Sequence, residues 1–135
     1  MPGTAKARVM LVEDDPGVSN SLGKTLLAAG YVVITAANGM EAIRLWREGR
    51  GDVAIVDMFM PEKDGLETIV ELQGLTPDVP IIAITGGGAY GRFDVLKDAE
   101  RLGAVETFKK PFDTRALLAA VARILDNARG EKTGK

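Results

Sequence analysis

The stretch Ala54-Ile55-Val56-Asp57-Met58-Phe59-Met60-Pro61 decides how this chain is read. Val53 to Val56 is apolar and mostly β-branched, the pattern of a strand covered on both faces. The apolar run stops at a carboxylate, and a proline follows four residues on. Asp57 therefore stands where the strand leaves the core and a loop begins. In an open α/β sheet, ligands bind at that edge, outside the carboxyl ends of the strands. Taken alone, Asp57 also reads as an ordinary loop or helix-capping aspartate. The rest of the chain decides between the two.

Working outward, the same unit recurs. Arg8 to Val12 is a short apolar run that ends in Glu13-Asp14-Asp15 and then Pro16. Asp before Pro marks a helix start, with Asp15 as the cap and Pro16 at the first helical position. That leaves Glu13 and Asp14 at the strand end with no capping duty. Val18, Leu22 and Leu26 recur at helical spacing, and Gly30 marks the stop. Tyr31 to Thr35 reads as a second strand, Asn38-Gly39 as a turn, and Ala42, Ile43 and Trp46 as a second helix ending near Gly49. After the Asp57 strand, Asp64-Gly65 opens a third helix whose apolar side is Leu66, Ile69, Val70 and Leu72. Ile81 to Ile84 is a fourth buried strand, ending at Thr85 before the loop Gly86-Gly87-Gly88. Phe93 to Leu102 reads as a fourth helix stopped by Gly103. Val105 to Phe108 is a shorter, more polar strand, as suits a sheet edge. Asp113 then caps a last helix carrying Leu117, Leu118, Val121, Ile124 and Leu125. Strand and helix alternate five times, which predicts a doubly wound α/β fold with a parallel sheet between two helical layers. The boundaries expected are a flexible segment 1–7, one domain over 8–127 and a flexible tail over 128–135.

Composition narrows the chemistry. The 135 residues are enough for one domain with its own core, and the charge of −2 leaves no electrostatic footprint for nucleic acid. There is no cysteine and no histidine, so disulfides, thiolate catalysis and the commonest general base are excluded. Carboxylates, hydroxyls, lysines and backbone remain, a ligand set that suits a hard cation such as Mg²⁺. No apolar run reaches membrane-spanning length and the N-terminus lacks a signal-peptide core, so the expected location is cytoplasmic, with no membrane partner.

A parallel sheet puts the strand ends Glu13, Asp14, Asp57, Thr85 and Lys110 on one rim. Clustered acids repel unless a cation lies among them. With Mg²⁺ bound there, Thr85 suits a hydrogen bond to one phosphoryl oxygen and Lys110 a point charge near another. Asp57 is then a candidate nucleophile that forms an aspartyl phosphate.

Together these residues resemble the response-regulator receiver domain of two-component signalling, over roughly Arg8 to Asn127. The motifs that carry the resemblance are Val12-Glu13-Asp14-Asp15, Asp57-Met58-Phe59-Met60-Pro61 with Asp64-Gly65, Thr85, and Lys110-Pro111. The resemblance implies a flavodoxin-like sheet of strand order 2-1-3-4-5. It implies that Asp57 takes a phosphoryl group from a sensor histidine kinase or phosphotransfer protein. It assigns Mg²⁺ to Asp14, Asp57 and the backbone carbonyl of Phe59, with Glu13 nearby. It also implies a cis Lys110-Pro111 peptide, and a downstream output protein or domain reached through the surface of the fourth helix, fifth strand and fifth helix. Such a domain is a switch rather than an enzyme.

One position departs from the pattern. Many receivers carry Tyr or Phe three residues before the matching lysine, and here that residue is Thr107. Phe108 is adjacent, but alternation along a strand turns it to the other face. The expected output shift therefore falls on the loop Gly86 to Gly91, with Tyr90 as its reporter. Phe59 and Gly87, which flank the path of a hydrolytic water in this family, offer no polar side chain. Slow self-dephosphorylation is expected. Three other readings compete. A flavodoxin-like cofactor module would need a phosphate-cradling loop where this chain has acids. An Asp-dependent phosphatase would carry an acid at Phe59. A binding-only receiver would lack one of the site residues.

Overall fold

The computed structural model describes residues 6–58, 65–85, 95–110 and 112–133. Phe59, Pro61, Asp64, Gly86 to Gly91 and Pro111, on which several expectations rest, lie outside the described residues. The chain runs β1 (Arg8–Val12), α1 (Pro16–Ala28), β2 (Val32–Ala36), α2 (Gly39–Glu48), β3 (Val53–Asp57), α3 (Gly65–Leu75), β4 (Ile81–Thr85), α4 (Val95–Arg101), β5 (Glu106–Lys109) and α5 (Thr114–Thr133). All neighbouring strands pair in parallel, in the order β2-β1-β3-β4-β5. Each crossover is a helix, as parallel pairing requires.

Side-chain alternation divides the core into two layers. Met10, Val12, Ala54, Val56, Ile81 and Ala83 point to one face, where α2, α3 and α4 pack through residues such as Trp46, Ile69, Leu72 and Ala99. Val9, Leu11, Val53, Ile55, Ile82 and Ile84 point to the other, against Leu22 and Leu26 of α1 and Leu117 and Val121 of α5. Strands β3 and β4 are buried along their whole length, whereas the edge strands β2 and β5 are not. This is why their sequences carry more polar residues.

Local signals set the element ends. Asp15 accepts from the backbone N–H of Gly17 at 2.9 Å and of Val18 at 3.4 Å, so it caps α1 as its place before Pro16 predicts. Gly30 and Gly103 follow their helices with φ of 99° and 114°, values that favour glycine. Asn38-Gly39, expected as a turn, instead begins α2. Asn38 Oδ1 accepts from the N–H of Glu41, and Glu41 Oε1 accepts from that of Ala37, a reciprocal cap.

One further expectation is corrected. Val70 is 51% exposed. The inner side of α3 is Gly65, Thr68, Ile69 and Leu72, and Val70 is turned about 100° from Ile69. Near the C-terminus, the backbone of α5 stays helical to Thr133, past the boundary expected at 127. Ala, Arg, Glu and Lys in that segment are good helix formers, so its polarity does not break the helix.

Candidate functional site

Parallel pairing brings five strand-end residues to the carboxyl rim. The N–H of Glu13 continues the ladder to the carbonyl of Ala36. Asp57 ends β3 opposite Ile84, and Thr85 is the next residue of β4. Met58 donates to the carbonyl of Ile84 at 2.8 Å, and Lys110 donates from its backbone to that of Thr85 at 2.6 Å. These bonds hold the ends of β3, β4 and β5 level.

The side chains converge accordingly. Glu13, Asp14 and Asp57 each place a carboxylate oxygen within 4.8 Å of the other two. Glu13 and Asp57 are buried, at 2% and 3% exposure, while Asp14 opens to solvent. Lys110 Nζ lies 2.8 Å from Glu13 Oε1 and 3.5 Å from Asp57 Oδ2. Thr85 is buried on the same rim. Asp15 turns away into its cap, but its N–H donates to Glu13 Oε2 at 3.2 Å.

The electrostatics are strained. Burial pushes the Glu13 carboxyl up to about 7; neighbouring Asp57 adds to the rise, and Lys110 opposes it. For Lys110, desolvation by burial acts downward, but Glu13 and Asp57 outweigh it and hold the ammonium above its ordinary value. Glu13 Oε1 is buried at ion-pair distance from that ammonium, yet it receives no well-aligned hydrogen bond. Three carboxylates facing one ammonium, two of them buried and one open to water, together suit a hard, oxygen-seeking divalent cation. The carboxylates of Glu13, Asp14 and Asp57 form a donor set that could hold such an ion, magnesium included.

Residues 9–122 match the response regulator receiver domain family. The chain belongs to that family. Over 122 residues it is 34% identical to the transcriptional regulatory protein GlrR of Escherichia coli strain K12, covering 90% of this chain but only 27% of that protein. Over 118 residues it is 30% identical to sporulation initiation phosphotransferase F of Bacillus subtilis strain 168, covering 87% of this chain and 93% of the relative. The crystal structure of the response regulator TrrA from Thermotoga maritima, in complex with Mg²⁺-BeF, superimposes with a TM-score of 0.75 at 31% identity, covering 87% of this chain and 98% of TrrA. The receiver is thus a component of two-component signalling, a domain class that works as a switch. Among the described residues, no helix is long and apolar enough to cross a membrane.

In this receiver Thr107 pairs with Ala83, which faces the α2-α3-α4 layer. Phe108 packs instead into the α1–α5 layer, its ring centroid 6.0 Å from that of Phe112. The aromatic residue of β5 therefore serves the opposite face from the one that an inward-turning ring would need. Two features go beyond the placement of residues on one rim. One is the contact of Lys110 with Glu13, made between opposite ends of the chain. The other is the close approach of Gly65 to Asp57, visible in sequence only as a glycine at a helix start.

Proposed function

We propose that this receiver accepts a phosphoryl group on Asp57 from a phosphohistidine of a sensor kinase or phosphotransfer protein, with Mg²⁺ at Glu13, Asp14 and Asp57. The observation that carries the reading is the cluster at the carboxyl rim, where Asp57 ends a strand beside two further acids and Lys110. An Asp57 oxygen forms the new P–O bond as the P–N bond of phosphohistidine breaks, and the electron pair stays with the imidazole nitrogen. Held by Glu13, Asp14 and Asp57, a divalent cation would supply charge neutralisation. Lys110, already within reach of Asp57, stabilises the charge that builds on the transferring group, and Thr85 offers a hydroxyl to the same group. That TrrA was crystallised in complex with Mg²⁺-BeF supports, by likeness, a role for Mg²⁺ in this domain. In our reading the backbone carbonyl of Phe59 completes the ligand set, and the domain acts in the cytoplasm.

The phosphorylated domain would signal to a downstream protein or domain through the surface of α4, β5 and α5. With Thr107 on the α4 side, the switch does not use the customary β5 ring. Incubation with Mg²⁺ and acetyl phosphate, followed by intact mass measurement, tests the reading. A single phosphoryl increment is expected, dependent on Mg²⁺ and absent from Asp57→Asn. Equal labelling of that variant would remove Asp57 from the role.

A further inference from the structure

We propose that Gly65 is a positioning residue for phosphoryl transfer, an inference that rests on Asp57 being the acceptor. Gly65 is the buried first residue of α3, and its N–H reaches the carbonyl of Met58 at 3.3 Å. A β-carbon on it would lie 2.5 Å from Met58 Cα, 2.6 Å from the Asp57 carbonyl oxygen and 3.0 Å from Met58 Sδ. The two closest atoms are backbone and have no rotamer to move into. Among the described glycines, only Gly30 and Gly103 have positive φ. Glycine stands at 65 for space, then, and not for conformation.

Neither side of this contact yields easily. Behind Gly65, α3 is anchored by Ile69 and Leu72, both fully buried. Behind Asp57, the strand is held by its pairing with Ile84 and by the bond from Met58 to the Ile84 carbonyl. A side chain at 65 must move one of them, and the Asp57 carboxylate hangs from the backbone that is pressed. The same contact at Gly103 differs in kind. There a β-carbon would meet the Gln73 side-chain amide at 2.5 Å, which can swing away. Gly65 thus sets where the acceptor oxygen sits relative to Lys110 and the cation. Displacement of about 1 Å in a reacting group costs on the order of 100-fold in rate.

The test compares Gly65→Ala with Gly103→Ala, using Mg²⁺ alone for affinity and acetyl phosphate with Mg²⁺ for rate. G103A, strained at its positive φ, should lose thermal stability while keeping wild-type Mg²⁺ affinity and phosphorylation rate. G65A should lose roughly 10- to 100-fold in rate and bind Mg²⁺ more weakly. The double variant G65A with Met58→Ala should recover neither, because it relieves only the sulfur contact. Wild-type rate and affinity in G65A, or full recovery in the double variant, would overturn the proposal. If G65A does not fold, amide exchange in the wild type decides. The Gly65 N–H should exchange more slowly with Mg²⁺ present, and an unchanged rate counts against the idea. Wild type that takes no phosphoryl group at all would instead sink the reading of Asp57, and this inference with it.

Discussion

At the amino end of the sheet, Arg8 is tied to the loop before β3. Its backbone N–H donates to Asp52 Oδ2 at 2.8 Å, its guanidinium to the carbonyls of Gly49 and Arg50, and its carbonyl accepts from the Asp52 N–H. At the carboxyl end, Glu13, Asp14 and Asp57 crowd together against Lys110, with one buried carboxylate oxygen left without a well-formed hydrogen bond. Both rims carry charges at strand ends. The amino rim leaves its acid in water and gives the polar groups of Arg8 partners, which costs little and closes the loop. The carboxyl rim buries like charges, an arrangement that stability alone disfavours. The contrast locates function, because perturbed and incompletely satisfied groups gather where chemistry is done.

The sharpest way to break the contrast is to exchange the aspartates at the two ends of β3. Asp57→Asn should lose phosphorylation by acetyl phosphate completely, whereas Asp52→Asn should be labelled like the wild type. Intact mass on both variants decides, and labelling that follows Asp52 would reverse the assignment of the rims.

Next in size is the division of labour among the acids after β1. Asp14→Ala should weaken Mg²⁺ binding at least about tenfold, since even outer-shell losses at metal sites cost that much. Asp15→Ala should leave Mg²⁺ affinity near wild type and cost about 0.5–2 kcal/mol of stability, the usual worth of an N-cap. Metal titration and denaturant unfolding of both variants separate the two roles.

The carboxyl rim should also show itself in the pH dependence of stability without divalent cations. Glu13 holds its proton to about 7 in the folded chain, against an ordinary value of 4.5. Between those values the native state binds more protons than the unfolded state, so stability falls as pH rises. The contribution is fully present below about 4.5 and lost as pH passes through about 7. Glu13→Gln should flatten this slope in denaturant curves taken across that window; a wild-type slope in the variant would point to another group.

The smallest effect belongs to the amino rim. Asp52→Ala removes one exposed hydrogen bond and should cost about 1 kcal/mol. Its phosphorylation and Mg²⁺ affinity should not change. A measurable loss of either would mean that the two ends of the sheet are coupled through β3.

The sequence by itself determined the alternation of elements, the burial of β3 and β4, the cap at Asp15 and the meeting of five strand-end residues on one rim. These follow from local causes: β-branched runs, helical spacing of apolar residues, an aspartate before a proline, and parallel pairing. Thr107 and Phe108 were also legible, because strand alternation is local. Tertiary structure decided the rest. It set Asn38 as a helix cap, since only the next turn shows where Glu41 reaches. It turned Val70 outward and drew Thr68 inward, because the buried side of α3 depends on the angle at which the helix meets the sheet. Of the acids on the shared rim, Lys110 meets Glu13 more closely than Asp57, a choice that no residue spacing encodes. Gly65 stands against the Asp57-Met58 backbone, with no room for a β-carbon, because α3 returns onto the strand that precedes it. Periodicity shows which residues face a core, while contacts between distant segments are chosen by the packing of the whole chain.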